Sequence, residues 1–290
     1  MRRFALAALT LVLLVFGGAS AYLKLNETSL VFHPADRTVA EPPDEFGLRQ
    51  RPVHYRSSDG TKLTAWIVPG AGPDSSGYWL LINHGNYGNI GYGDRPDFYS
   101  RARDTGLNLL AYDYRGFGAS DGTPTELGVY ADAEASFRYL TDSLSVPADR
   151  IVIFGHSLGS GVAIELATRV PSAALVVEGA YTAVTDRGQE LYPFLPVKLL
   201  ASQRFASIDK IARVRVPKVF LHSPSDDIIP FAHGERLFRA AAEPKRFVPV
   251  AGGHMEAFKR DDATYFGAIR SLLASVNGER AAGGYPATRH

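Results

Sequence analysis

With 290 residues, 31 basic against 30 acidic side chains and no cysteine, the chain has room for one large α/β domain or two small ones. The near-zero net charge leaves no nucleic-acid footprint in the totals. The missing cysteines exclude disulfides, thiol nucleophiles and cysteine-ligated zinc, while leaving the compartment open.

Arg2 and Arg3 precede an uncharged run over residues 4–23, which as a helix comes close to the ~30 Å of a bilayer core. Ala19-Ser20-Ala21 fits an A-x-A cleavage site, so residues 1–25 read equally as a membrane anchor or a signal peptide. The leading arginines predict an N-in orientation. The globular part is therefore expected on the extracytoplasmic side of the cell envelope, or secreted if residues 1–21 are cleaved. Residues 26–52 read as an irregular connector rich in proline and charge.

Residues 53–55 and 63–68 are two short strands around the hairpin signal Ser57-Ser-Asp-Gly60. The apolar run 78–82 reads as a strand buried on both faces. From there the pattern alternates: helix 94–105, strand 107–112, helix 126–142, strand 151–154, helix 158–169 and strand 174–177. Strand 218–221, helix 234–242, strand 246–250 and a closing helix 258–276 complete it. Alternation of this kind predicts an α/β fold with a mainly parallel sheet covered by helices on both faces. Ligands in such sheets bind beyond the carboxyl ends of the strands. Residues 181–216 interrupt the pattern, and their short helical stretches predict a helical cap inserted before the following strand. Residues 277–290 read as a flexible polar tail.

The chemistry is concentrated around Gly155-His-Ser157-Leu-Gly159, a G-x-S-x-G turn between an apolar strand and a helix, the pattern of a nucleophile elbow. Ser157 has to sit on a tight, strained turn, and side chains two residues to either side would collide with neighbouring backbone. The N–H of Leu158 then lies at a helix N-terminus, where negative charge is favoured. The acid and the histidine are expected to follow the nucleophile along the chain. His254, in Ala251-Gly-Gly-His254 after the last strand, is placed to serve as general base. Asp226 is the candidate acid, with Glu178, at the end of the preceding strand, as the alternative. The second oxyanion donor is expected in Asn83-His-Gly-Asn-Tyr87, with the N–H of Asn86 preferred over that of Tyr87. Tyr87, Tyr181, Phe194 and Ile228 are candidate pocket residues. His156 is read as a packing residue facing away from the site.

Asp113-Tyr-Arg-Gly-Phe-Gly-Ala-Ser-Asp-Gly122 invites a dinucleotide reading but misses the third glycine of G-x-G-x-x-G. Neither H-E-x-x-H nor G-x-x-x-x-G-K-[ST] occurs, so no metal site and no cofactor are expected.

With these residues in place, the chain resembles the α/β-hydrolase superfamily over residues 53–276. It is most similar to a small-cap branch of membrane-anchored serine hydrolases found in bacteria and eukaryotes. The resemblance is carried by Leu30-Val-Phe-His-Pro34, His84-Gly-Asn86, the run from Asp113 to Ser120, Gly155 to Gly159, Asp226 with Ile229-Pro230, and Gly253-His254. Ser223 departs from it, because that position after His222 is usually glycine. The resemblance implies a Ser157–Asp226–His254 triad acting on a small-molecule or lipid-like acyl ester or thioester, with no nucleic-acid partner. In that branch an anchor commonly precedes the Phe-His-Pro segment, which favours a retained anchor over a cleaved signal. Relatives of this kind include esterases, lysophospholipid hydrolases, depalmitoylating thioesterases and peptidase-like members, so the substrate stays open. A non-catalytic scaffold on the same fold is the competing reading, and its mark would be a missing triad member.

Overall fold

The chain's apolar runs become strands because only there can both faces of each be covered. The computed structural model describes residues 2–34, 38–39, 44–71 and 77–281. The chain begins with helices α1 (Arg2–Leu25) and α2 (Glu27–Val31), then the short strand β1 (His33–Pro34). Strands β2 (Arg51–Arg56) and β3 (Lys62–Val68) form a hairpin, followed by β4 (Trp79–Asn83) and the two-residue β5 (Tyr87–Gly88). Then come α3 (Arg95–Asp104), β6 (Asn108–Tyr112), α4 (Glu126–Arg138), β7 (Ile151–His156), α5 (Leu158–Ala167) and β8 (Ala174–Glu178). The cap holds α6 (Val184–Leu191) and α7 (Val197–Leu200). Strand β9 (Lys218–His222), α8 (Phe231–Ala240), β10 (Lys245–Pro249), α9 (Ala257–Arg260) and α10 (Asp262–Ala281) close the chain.

Eight strands form one sheet in the order β10-β9-β8-β7-β4-β6-β3-β2. The hairpin β2–β3 is antiparallel, β3 runs antiparallel to β6, and every other pair is parallel. One face packs against α4, α5 and α8 through residues such as Val129, Val162 and Leu237. The other packs against α3 and α10 through Phe98, Tyr265 and Ile269. The central strand β7 is buried over Ile151–Gly155, as expected of a strand with helices on both sides. Register sets Asn83 beside Gly155 and His156 beside Glu178, so the carboxyl ends of β4, β7 and β8 share one edge.

Three elements differ from the sequence expectation. The connector is partly helical, because Glu27 of α2 accepts backbone N–H bonds from Ser202 at 2.5 Å and Gln203 at 2.6 Å. The helix expected to reach Asp142 leaves α geometry at Arg138 and ends in a π turn, and the chain folds back at Ser145 (φ 54) so that the N–H of Val146 bonds the carbonyl of Leu140 at 2.9 Å. The closing helix is broken at Asp261, which leaves helical backbone between α9 and α10. Of the tail, residues 277–281 belong to α10 and the rest lies outside the described residues.

Helix α1 leaves the domain with Phe4, Leu6, Leu11, Leu13, Leu14 and Val15 exposed, and packs against α7 only near its C-terminal end. Among the described residues no helix is long and apolar enough to cross a membrane.

The run that invited a nucleotide reading is a structural knot beside β6. The Arg115 guanidinium meets fully buried Asp132 at 2.8 Å and Asp59 at 2.7 Å, while the backbone N–H of Arg115 also bonds Asp132 at 2.8 Å. Gly116 (φ 78) and Gly118 (φ 46) supply the left-handed backbone that this tight loop needs. Removing Asp132 would leave the buried end of the Arg115 guanidinium with the half-exposed Asp59 as its remaining carboxylate partner. Asp132→Ala should therefore lower unfolding stability by about 3–5 kcal/mol, as read from denaturant midpoints. A loss below ~1 kcal/mol would show that the pair is solvated and weak.

Candidate active site

Strand β7 ends at His156 and α5 begins at Leu158, so Ser157 alone makes the turn, with φ 53 and ψ −122. A non-glycine residue at positive φ is strained by roughly 1–3 kcal/mol. The crossing is very close: a Cβ on Gly155 would stand 2.3 Å from the carbonyl oxygen of Gly159, and one on Gly159 would stand 2.0 Å from that of Asn83. Both glycines are therefore required by contact, as the motif implies. The N–H of Ser157 is tied to the carbonyl of Glu178 at 3.0 Å, which holds the turn against β8. Its side chain opens onto a cavity.

The loop after β9 folds around Asp226. One carboxylate oxygen accepts the N–H groups of Ile228 at 2.9 Å and Ile229 at 2.7 Å, and the other meets His254 Nδ1 at 2.7 Å. Burial acts to raise the pKa of this carboxyl. Hydrogen bonds from His222 and His254, the charge of His254 and the Ile229 N–H outweigh it and hold Asp226 well below the usual carboxylate range. An ionised Asp226 can only accept, so His254 carries its proton on Nδ1 and presents Nε2 as the free lone pair. That Nε2 is buried without a hydrogen-bond partner. No hydrogen bond joins Ser157 Oγ to it.

Glu178, the other candidate acid, is not bonded to His254. It is buried, accepts the Tyr265 hydroxyl at 2.6 Å, and is pushed up to about 7 by that burial. Gly179 (φ 53) follows it because the ring of His254 passes close: a Cβ there would lie 2.9 Å from His254 Cε1.

His156 does not face away, contrary to the sequence reading. Its Nε2 lies 3.1 Å from the backbone oxygen of His254, and the two rings are 4.9 Å apart. A carbonyl only accepts, so His156 donates from Nε2, and burial lowers its pKa to about 3, keeping it neutral. It fixes the backbone that carries His254. No periodicity could have revealed this, because the contact joins residues 98 positions apart.

Gly85 brings the loop after β4 against the elbow, where its hypothetical Cβ would meet Ser157 Cβ at 3.4 Å. Its carbonyl accepts His84 Nδ1 at 2.7 Å and a longer bond from Arg95 at 3.4 Å. In the planar trans peptide that follows, the Asn86 N–H must point to the opposite side. Arg95 also donates to the carbonyls of Tyr87, at 2.5 Å, and Asn89. The sequence reading missed Arg95, although a lone cation directly after a glycine-rich loop is a signal that such a loop needs a donor.

Asn86, Leu158, Tyr181 and Ile228 line the cavity with Ser157. Tyr181 is buried and its hydroxyl bonds the Leu158 carbonyl at 3.0 Å. Tyr87 and Phe194, also expected in the pocket, stand outside its lining. Tyr87 packs on Tyr92 with ring centres 5.0 Å apart, and Phe194, between α6 and α7, is 90% exposed.

The mainly parallel sheet with an antiparallel hairpin at one edge, crossed at β7–α5 by a strand–serine–helix turn, defines an α/β-hydrolase fold. The chain belongs to the alpha/beta hydrolase family, whose model matches residues 67–283. An uncharacterized protein of Mycobacterium tuberculosis is 35% identical over 273 residues, covering 94% of this chain and 96% of that protein. The human alpha/beta hydrolase domain-containing protein 17B is 32% identical over 201 residues, covering 69% of this chain and 67% of its own length. Among solved structures, an esterase of Pyrococcus furiosus superimposes with a TM-score of 0.69 at 17% identity, covering 85% of this chain and 98% of that one.

Glu178 supplies a pH test. Its ordinary value is 4.5 and its folded value about 7. Between these the folded state holds a proton that the unfolded chain has lost, so this group makes stability fall as pH rises through the window. Glu178→Gln keeps the acceptor for Tyr265 and removes the effect. Relative to wild type, the variant should gain up to about 3 kcal/mol on going from pH 4.5 to pH 8, measured by denaturant unfolding. A wild-type–variant difference independent of pH would mean that Glu178 titrates normally.

Proposed function

We propose that the protein is a serine hydrolase that cleaves carboxylic esters or thioesters through an acyl-enzyme on Ser157. The observation that carries this reading is the 2.7 Å bond from His254 Nδ1 to Asp226, with the other imidazole nitrogen left buried and unpaired, together with the strained turn at Ser157. As substrate seats, Ser157 Oγ attacks the carbonyl carbon while His254 Nε2 takes its proton. Asp226 stabilises the imidazolium that results. The oxyanion is met by the N–H groups of Leu158 and Asn86, both fixed before reaction, which is where most of the rate gain of such sites originates. His254 then returns the proton to the leaving alcohol or thiol, and water repeats the sequence to release the acid. The esterase among the structural neighbours and the esterase-bearing fold are consistent with this chemistry.

Although no described helix is long and apolar enough to cross a membrane, the N-terminal run is proposed as a retained anchor that keeps the domain at the membrane on its extracytoplasmic side. Its support is the uncharged stretch 4–23 and the apolar side chains that α1 exposes. The chain should stay with the membrane fraction through an alkaline carbonate wash; release of the uncleaved chain would remove the anchor.

Turnover of p-nitrophenyl esters and labelling by a fluorophosphonate probe test the catalytic reading. Ser157→Ala should abolish labelling and lower kcat by about 10⁶-fold, and Asp226→Asn by about 10⁴-fold. Equal rates in wild type and Ser157→Ala, or an unlabelled Ser157 in an inactive wild type, would put a non-catalytic scaffold in its place.

A further inference from the structure

The segment between the apolar N-terminal run and the sheet makes two contacts that a passive tether has no use for. The cavity that Ser157 opens onto measures about 460 Å³, within the roughly 300–1,000 Å³ of ligand sites. One side is the cap, with Tyr181, Leu191 and Val197. The opposite side is the N-terminal segment itself, with Leu23, Leu30 and Val31. A second cavity, lined by His84, Gly85 and His156, measures about 50 Å³, room for little more than water. The larger cavity offers an acyl chain on Ser157 a path between the cap and α2. Glu27 holds that gap at a fixed width by accepting the N–H groups of Ser202 and Gln203 from the cap.

The second contact is with the oxyanion loop. The His33 N–H donates to the Asn86 carbonyl at 2.8 Å, and the Asn86 side-chain amide donates to the Val31 carbonyl at 3.0 Å. Strand β1 continues this pairing in parallel with β5. Phe32, between the two bonds, is buried against Phe117 and Phe205, so the segment cannot shift without opening the core. Together with Arg95 on the other side of the loop, these bonds hold the peptides on either side of Asn86.

We propose that residues Leu23 to Pro34 are a working part of the active site: they form one wall of an apolar acyl-chain subsite and position the oxyanion-hole peptide. The substrate class that follows is an ester or thioester with an extended aliphatic acyl chain, laid between α2 and the cap. The inference rests on Ser157 as nucleophile, the reading given above.

The test uses the full chain and p-nitrophenyl esters from acetyl to palmitoyl. Leu30→Trp narrows the channel and Leu30→Ala widens it, both at a partly exposed position that tolerates substitution. The ratio of long-chain to short-chain kcat/KM should fall about ten-fold or more in the first and rise in the second. His33→Pro removes the N–H that reaches Asn86, with His33→Ala as the control for loss of the ring that lies 6.4 Å from Tyr87, and Phe32 (φ −112, ψ 126) already has the backbone that a following proline requires. It should lower kcat about ten-fold or more at every chain length with little change in KM, the mark of a displaced oxyanion donor. An unmoved ratio in both Leu30 variants, or a His33→Pro effect confined to KM, overturns the inference while the serine mechanism stands. A wild type that hydrolyses no ester and escapes the fluorophosphonate probe overturns both.

Discussion

The structure depends on one strained backbone turn. Ser157 can hold φ 53 only because β7, α5 and the end of β4 approach within distances that admit no Cβ at Gly155 or Gly159. That strain, roughly 1–3 kcal/mol, is offset by burial of β7 on both faces and of every residue of α5. The turn is thus a product of the whole sheet. Anything that loosens the packing of α5 against β4 and β7 relaxes the serine before it touches the histidine or the acid.

Support for the base is layered in the same way. Asp226 is fixed by two backbone N–H groups and in turn fixes His254 Nδ1, while His156 holds the backbone of His254 from the elbow side. Nucleophile turn and base loop are therefore joined by a hydrogen bond that neither loop makes alone. Electrostatics agree with this arrangement. Neutral His156 adds no positive charge to compete with an imidazolium, and Glu178, pushed up to about 7 and bonded to Tyr265, is largely protonated below that pH. The imidazole then faces one full carboxylate charge, that of Asp226.

How much of this was legible in the sequence follows the range of each interaction. The elbow is a local motif, so Gly155, Ser157 and Gly159 could be read from five residues, and strand–helix alternation gave the parallel sheet around them. Asp226 and His254 were legible by position, since each lies just past a strand end. The sequence favoured Asp226 and left Glu178 as the alternative; in the structure it is Asp226 that meets His254 Nδ1, at 2.7 Å. His156 was misjudged because its partner is the backbone oxygen of a residue whose place along the chain says nothing of its place in space. The connector was illegible for a related reason: α2 is too short to form alone and exists because Glu27 finds the cap's backbone donors. Phe194 was placed in the pocket on its aromatic character alone, which cannot tell a lining residue from one that stands in solvent.

The division between these two kinds of element bears on how such a site can change. Ser157, His254 and Asp226 sit on or just beyond strand ends, where register within the sheet leaves little freedom. Much of the cavity wall comes from the cap and from the N-terminal segment, whose β1 pairs with β5 in a two-stranded sheet separate from the main one. Pocket width can then be altered by substitutions in either wall without moving the elbow, as functional variation on a rigid scaffold generally requires. The exception is Asn86, whose backbone belongs to the oxyanion loop while its side chain is bonded to the N-terminal wall. On the proposed mechanism substrate fit and transition-state geometry share a support at that residue, so changes that reshape the N-terminal wall would act on catalysis most directly through it.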